Sequence, residues 1–204
     1  MKRIVVILAL VAAAACSQQA DQGPIAAQSA SGQDAPLADD SGAAASEAAA
    51  APAKTISRYT TLKDCKLVDA REGEDWSVSR CPGLAGYTVM VNYHDARDDL
   101  ALRRANQKDV ELNLVSLAGG GFNTLSDTIE WRGADAGDGF RPTALIVRNA
   151  AVRDPDQPDK PTSLLVVVDL AQQCVIAQVK PQPGQNEAAR AIADGPRRAC
   201  LGRI

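Results

Sequence analysis

The amino-acid sequence predicts an α+β domain: an antiparallel β-sheet with a C-terminal helix and two disulfides. Three observations predict it. Residues 163–170 form an apolar run rich in β-branched side chains, and shorter segments before it alternate between apolar and polar residues. A helical apolar pattern occurs near the C-terminus, at 186–194. Four cysteines lie in the same part of the chain, an even number that suits two disulfides.

Segments of period-two hydrophobicity, bounded by turn residues, define the strands. The expected strands cover residues 64–70, 75–81, 87–93, 100–103, 128–132, 141–150, 163–170 and 174–180. Segment 110–117 fits both a strand and a helical turn, and the glycines at 119–121 end it in either case. Within the strand at 128–132, we expect the charges of Glu130 and Arg132 to face water.

The C-terminal helix has recognisable ends. Asn186 is expected to cap its N-terminus, where Glu187 suits the positive end of the helix dipole. Ala189 and Ile192 share one face and are expected to pack against the sheet. Gly195, followed by proline, ends the helix.

The cysteines of this region are Cys65, Cys81, Cys174 and Cys200. Three pairings are possible in principle, and pairing of nearest neighbours fits the strand layout best. No CxxC pair or histidine-rich segment accompanies them, so no metal site is expected. The sequence indicates no cofactor.

The first fifteen residues, 1–15, have the pattern of an export signal. Lys2 and Arg3 supply a positive start, and an apolar run of 12 residues follows, from 4 to 15. A membrane-spanning helix needs roughly 20 apolar residues, so this run is too short to span a bilayer.

The small residues 13–15 directly precede Cys16. This stretch resembles the bacterial lipoprotein signal, in which the cysteine becomes the N-terminus and carries a diacylglyceryl group and an amide-linked acyl chain such as palmitate. The resemblance implies lipidation at Cys16 and a membrane partner for that lipid. Ser17 resembles the pattern that directs lipoproteins to the outer membrane of Gram-negative cells. Ala13 departs from the usual Leu or Val, so ordinary secretory cleavage near Ala15 is the alternative.

A linker at 16–53 separates this anchor from a single domain at 54–204. The linker is built from Ala, Ser, Gln, Gly, Asp and Pro without an aromatic residue, a composition typical of disorder. It carries five carboxylates and no lysine or arginine, which leaves the domain with a net charge of zero. A neutral domain has no overall field to attract nucleic acid, so no nucleic-acid partner is expected.

Several segments of the domain resemble a group of uncharacterised exported proteins from alphaproteobacteria. The segments are 81–87, 129–132, 141–148 and 188–194, and they extend over most of the region from 60 to 200. The resemblance implies one domain and brings no activity with it.

Residues able to carry chemistry are few. His94 is the single histidine, and no G-x-S-x-G turn supplies a nucleophile, so no catalytic residue is predicted and the chain is not expected to be an enzyme. The aspartates around 95–99 and 135–138, and the glycines 119–121, are expected to form turns and loops. Trp76, Tyr87 and Trp131 are the candidate ligand-binding residues, because aromatic rings can form a stacking surface for a carbohydrate. Packing in the core is the alternative, and it is the default expectation for three of the four residues Trp76, Tyr87, Tyr93 and Trp131.

The tether, the long linker and the lack of a catalytic pattern together favour a non-enzymatic function. The sequence predicts a lipid-anchored cell-envelope protein, facing the periplasm and held at the outer membrane. Its domain is expected to bind or scaffold an envelope protein or a cell-wall component. The alternative is a periplasmic inhibitor of a hydrolase such as lysozyme, since small disulfide-bonded lipoproteins resemble such inhibitors in layout.

Overall fold

The computed structural model describes residues 54–202 of the chain. The predicted signal at 1–15, the lipidation at Cys16 and the linker at 16–53 lie outside the described residues. Residues 54–202 form ten strands and two short α-helices of 4 and 9 residues. The domain is therefore mostly antiparallel β-sheet with a C-terminal helix, and its helical share is smaller than the predicted α+β class implies.

The strands and helices follow one another along the chain. The strands are β1 (Ile56–Thr61), β2 (Lys66–Ala70), β3 (Trp76–Pro82), β4 (Tyr87–His94), β5 (Arg97–Arg104), β6 (Val110–Glu111), β7 (Asn123–Ala136), β8 (Gly139–Ala151), β9 (Thr162–Asp169) and β10 (Cys174–Val179). The helices are α1 (Leu114–Leu117) and α2 (Gln185–Ala193). Neither helix is long and apolar enough to cross a membrane.

The strands join in the order β10-β9-β8-β7-β5-β4-β3-β2, with β1 paired to β7 and β6 paired to β5. Every pairing is antiparallel except that of β5 with β7, which consists of the single pair Arg97 and Asn123. This narrow joint divides the sheet into one arm of β2 to β6 and a second arm of β1 and β7 to β10.

The inner faces of the two arms share one hydrophobic core. Leu100 and Leu102 from β5 belong to the same buried cluster as Trp131 from β7 and Leu145 from β8. Leu102, Trp131 and Leu145 are fully buried. Burial of such side chains stabilises a fold by about 1.5–3 kcal/mol each, so this cluster, which has the most buried residues of the three within residues 54–202, stabilises the contact between the arms.

The outer face of the second arm is covered by α2. Successive residues of β8 alternate between the two faces of the sheet. Val147 faces the inner core, and Ile146 belongs to a second buried cluster with Ala189 of α2. The strand β9 alternates in the same way, with Val166 inside and Val167 under the helix. Burial on both faces explains why these strands are continuous apolar runs in the sequence.

The structure confirms both disulfides in the favoured pairing. Cys65 is bonded to Cys81, across the β2–β3 hairpin, and Cys174 is bonded to Cys200, which ties the segment after α2 to β10. Disulfides form and persist in oxidising compartments. The two bonds therefore indicate an exported location.

Two predictions about local structure are wrong. The helix α2 begins at Gln185, and its N-cap is Gly184 in a left-handed conformation, not Asn186. The Asn186 side chain instead accepts a hydrogen bond from Arg148, 3.1 Å away. Glu130 and Arg132 do not face water, since their side chains are only 12% and 10% exposed.

Other segments differ in extent from the prediction. β7 and β8 form a hairpin longer than the predicted segments 128–132 and 141–150. The ambiguous segment 110–117 contains both structures, because β6 is followed directly by α1. β1 was not predicted, since its six residues alternate too weakly to stand out.

Candidate functional site

The three candidate aromatic residues do not form one surface. Trp131 is fully buried in the inner core, where its indole Nε1 donates a hydrogen bond to Thr60 Oγ1 over 2.9 Å. The ring of Tyr87 lies 5.9 Å from that of Trp131, and its hydroxyl donates to the carbonyl of Leu170. The structure therefore brings Tyr87 and Trp131 together, but Trp131 has no surface with which to contact a ligand.

Trp76 is at the opposite end of the β3–β4 hairpin from Tyr87. It pairs across the strands with His94, which is seven residues along β4 from Tyr87, a separation of roughly 23 Å along the strand. The guanidinium of Arg71 covers the Trp76 ring at 4.6 Å. Trp76 is therefore not part of one aromatic surface with the other two residues.

His94 lies at the tip of the next hairpin and is exposed. Asp95 and Ala96 follow it with positive φ angles of 50° and 54°, the backbone of a two-residue hairpin turn. His94 forms no side-chain hydrogen bond or ion pair with any residue between 54 and 202. No group of three or more His, Cys, Asp or Glu side chains in that range is arranged to hold a metal ion.

A cavity of about 460 Å³ lies where β5, β7 and β8 meet, and we call it the arginine cavity. Its polar groups are the guanidiniums of Arg97 and Arg153, and its apolar surface includes Phe122, Pro155 and Pro158. The glycines 119–121 and Val152 complete most of the wall. Volumes of 300–1,000 Å³ with apolar walls and few polar groups are typical of small-ligand sites.

Short backbone contacts hold these walls together. The amide of Asn123 donates to the carbonyl of Ala96, and the amide of Val152 donates to the carbonyl of Phe122 over 2.8 Å. The Asn123 side chain is buried and donates to the carbonyl of Asp98. Gly121 is required here, because a Cβ atom at this residue would lie 2.3 Å from the carbonyl oxygen of Val152.

The two arginines of the cavity differ in their partners. Arg97 Nε donates to the carbonyl of Gly120 over 3.1 Å, and its Nη1 donates to the backbone carbonyl and the carboxylate of Asp95. Its guanidinium also lies 4.9 Å from the centre of the Phe122 ring, a cation–π contact. Arg153 is exposed and contacts no carboxylate, acceptor or ring among residues 54–202.

The cavity therefore has one uncompensated positive charge beside an apolar surface. No carboxylate lines it. Phe122 borders the cavity and is 47% exposed, so its ring is accessible to a ligand. This arrangement can bind an anion that also has an apolar portion. It offers no nucleophile and no acid–base pair.

A second cavity of about 560 Å³ lies near the end of α2 and is lined by Tyr87, Arg104 and Arg197. Arg104 stacks on the Tyr87 ring at 5.3 Å. The carboxylates of Asp169 and Asp194 also line this cavity. Its lining therefore mixes carboxylates with arginines, whereas no carboxylate lines the arginine cavity.

Sequence reasoning did not find the arginine cavity. Residues 97, 122 and 153 are far apart in the chain and follow no motif spacing. The glycine run before Phe122 is the available signal, but by itself it predicts only a loop. The structure shows that this loop forms a cavity wall.

No known protein family, no curated protein and no solved structure matches this chain. The resemblances to lipoprotein signals and to the uncharacterised exported group stay predictions. Function must therefore be argued from the residues of this chain.

Proposed function

We propose that this protein is a lipid-anchored binding protein of the cell envelope, whose domain holds an anionic ligand in the arginine cavity. The observation that carries the proposal is the unpaired guanidinium of Arg153 beside the exposed ring of Phe122. Charged side chains on protein surfaces are commonly solvated, but here the charge borders a concave apolar volume. A ligand with a matching charge would gain both contacts at once.

The N-terminal sequence and the two disulfides support a location in the cell envelope. An apolar run preceded by Lys2 and Arg3 and followed by Cys16 supports export and lipidation. Two acyl chains or more hold a protein durably on a membrane, since each buried methylene contributes about 0.8 kcal/mol. Ser17 supports retention at the outer membrane, with the domain facing the periplasm.

The anchoring part of the proposal is tested on the full chain produced in a Gram-negative host. Mass spectrometry of the mature N-terminus should find Cys16 with a diacylglyceryl group and an amide-linked acyl chain. The variant Cys16→Ser should move from the membrane fraction to the soluble periplasmic fraction. An unmodified N-terminus created by cleavage near Ala15 would overturn lipid anchoring.

The binding part is tested by native mass spectrometry of the full-length protein released gently from its own envelope. We expect a co-purifying anion that is absent from the Arg153→Ala variant. Arg153 makes no hydrogen bond, ion pair or ring contact with residues 54–202, so its replacement should leave folding unchanged. A lysozyme assay distinguishes the proposed binding function from the inhibitor alternative. Inhibition of lysozyme that persists in the Arg153→Ala variant would place the activity outside the arginine cavity and would favour the inhibitor.

A further inference from the structure

We infer that the ligand of the arginine cavity is a carboxylate attached to an apolar or aromatic group. The inference rests on the proposed function and specifies its ligand. It follows from three features of the cavity: the number of guanidinium hydrogens left free, the balance of charge, and the apolar surface beside them.

The free hydrogen-bond donors are concentrated on one side chain. An arginine has five N–H donors. In Arg97 the Nε hydrogen and the Nη1 donors are taken by Gly120 and Asp95, so only Nη2 remains. In Arg153 all five donors are free of protein acceptors among residues 54–202. Arg153 therefore offers a complete planar fork, the geometry that pairs with the two oxygens of a carboxylate.

The charge balance favours a monoanion. The charge of Arg97 is compensated by its ion pair with Asp95, and no second unpaired cation lines the cavity. One carboxylate matches the single charge of Arg153. A phosphate dianion would leave one negative charge without a partner, beside apolar walls that cannot solvate it.

The remaining wall surface requires an apolar body on the ligand. A cavity of about 460 Å³ is much larger than a carboxyl group. Phe122 is exposed over 47% of its surface, and Pro155 and Pro158 face the same volume. An aromatic or aliphatic group placed there would remove this apolar surface from water, which favours binding.

Two sources supply this chemistry: a free organic acid, and the C-terminal carboxylate of a peptide with an apolar last residue. Isothermal titration calorimetry on the full-length protein distinguishes them with 3-phenylpropanoate and with an acetylated dipeptide that ends in phenylalanine. The corresponding amides, which lack the negative charge, are the matched controls. Inorganic phosphate tests the preference for a carboxylate.

We expect at least one of the two acids to bind at least ten-fold more tightly than its amide and than inorganic phosphate. Arg153→Ala should weaken that binding ten-fold or more, and Arg153→Lys should restore only part of it, since an ammonium lacks the planar fork. Phe122→Ala should weaken binding of 3-phenylpropanoate or the dipeptide. It should leave the binding of acetate unchanged, because acetate has the carboxylate that contacts Arg153 but no large apolar group. The acid that binds more tightly identifies the source.

The control variant is Arg104→Ala, which removes one of the two exposed arginines of the second cavity. It should bind the acids as the unaltered protein does. Loss of binding in Arg104→Ala but not in Arg153→Ala would overturn the assignment of the site. If the amides or phosphate bind as tightly as the acids and their binding depends on Arg153, the inference that the ligand is a carboxylate is wrong. The proposed binding function would still stand. If none of these probes binds and no anion co-purifies, both the inference and the proposed function are wrong.

Discussion

At the residue scale, a group of charged side chains fixes α2 to the sheet, and we call it the α2 ion-pair network. It consists of Ser57, Glu130, Arg132, Arg190 and Asp194. Arg132 pairs through two nitrogens with the Asp194 carboxylate at the end of α2, and Arg190 Nε donates to Glu130 over 2.7 Å. Ser57 donates to Glu130 and accepts from Arg132. Each charged side chain of the network has a hydrogen-bond partner within it, as buried charges require.

Replacing Arg132 by methionine should destabilise the domain by about 3 kcal/mol, the lower end of the cost of breaking a buried ion pair. Methionine keeps the apolar stem but leaves Asp194 without its partner, in a position where only 27% of the side chain is exposed. Urea denaturation measures the change. The matched control is Arg141→Met, whose ion pair with Asp138 is largely solvent-exposed and should contribute little. Equal effects of the two substitutions would contradict this account.

Burial raises the pKa of Asp99 above its ordinary value, although the backbone amides of Leu114 and Leu100 donate to its carboxylate and lower it in part. The pKa of Glu111 is also raised, first by burial and then by the charge of Asp99. A raised pKa means that the folded state disfavours the ionised carboxylate. The stability that protonated Asp99 contributes is present below its unfolded pKa and is lost as pH rises through its folded pKa.

Asp99→Asn should therefore raise the free energy of unfolding at pH 7, because asparagine retains an oxygen acceptor for the two amides and carries no charge. The difference from the unaltered protein should shrink as pH falls toward 4. Urea denaturation at several pH values between 4 and 7 measures it. Asp159→Asn, at an exposed position without partners, should show no such trend. A difference independent of pH would contradict the burial argument.

At the scale of elements, α2 shows how side-chain packing and local sequence signals can disagree. The apolar residues of α2 were predicted correctly, since Ala189 is fully buried against the sheet. The predicted start of α2 was wrong, because the Asn186 side chain is hydrogen-bonded to Arg148 of β8. No local sequence pattern connects Asn186 with Arg148. The strands β8 and β9 were predicted from their apolar runs, whereas β1 depends on pairing with β7, seventy residues away, and leaves only a weak local pattern.

Ala189→Leu should destabilise the domain by about 1–3 kcal/mol, since extra methylene groups do not fit a packed interface. Ala189 is 0% exposed and belongs to the cluster under the helix. The control is Ala191→Leu, at an exposed position of the same helix. Thermal or urea denaturation compares the two. If Ala191→Leu were the more damaging variant, the packing face of α2 would be assigned wrongly.

At the scale of the whole molecule, the fold is closed at two distant places by covalent bonds. Cys65–Cys81 holds the edge strand β2, and Cys174–Cys200 holds the segment that follows α2. This pairing was foreseeable because each pair is close in sequence. The arginine cavity was not foreseeable, since it forms only when β7 joins both arms and so places Arg97, Phe122 and Arg153 together.

Replacing both Cys174 and Cys200 by serine should lower the free energy of unfolding by about 3.5 kcal/mol, as the chain-entropy treatment gives for a loop of this length. Guanidinium denaturation measures the loss. Hydrogen exchange of the Leu201 amide, which donates to the carbonyl of Val175 over 2.7 Å, should also become faster. The Cys65→Ser, Cys81→Ser pair should cost a similar free energy while leaving exchange at Leu201 slow. Unchanged stability in both double variants would contradict a bracing role.

The order of α2 after the strands that it covers has a consequence during synthesis. Ribosomes make proteins from the N-terminus, so β8, β9 and β10 are complete before the helix that shields them exists. Until the α2 segment has been added, Ile146, Val167 and Ile176 form an uncovered apolar surface. A chain that is truncated before Gln185 should accordingly aggregate, whereas a chain that includes α2 should stay dispersed.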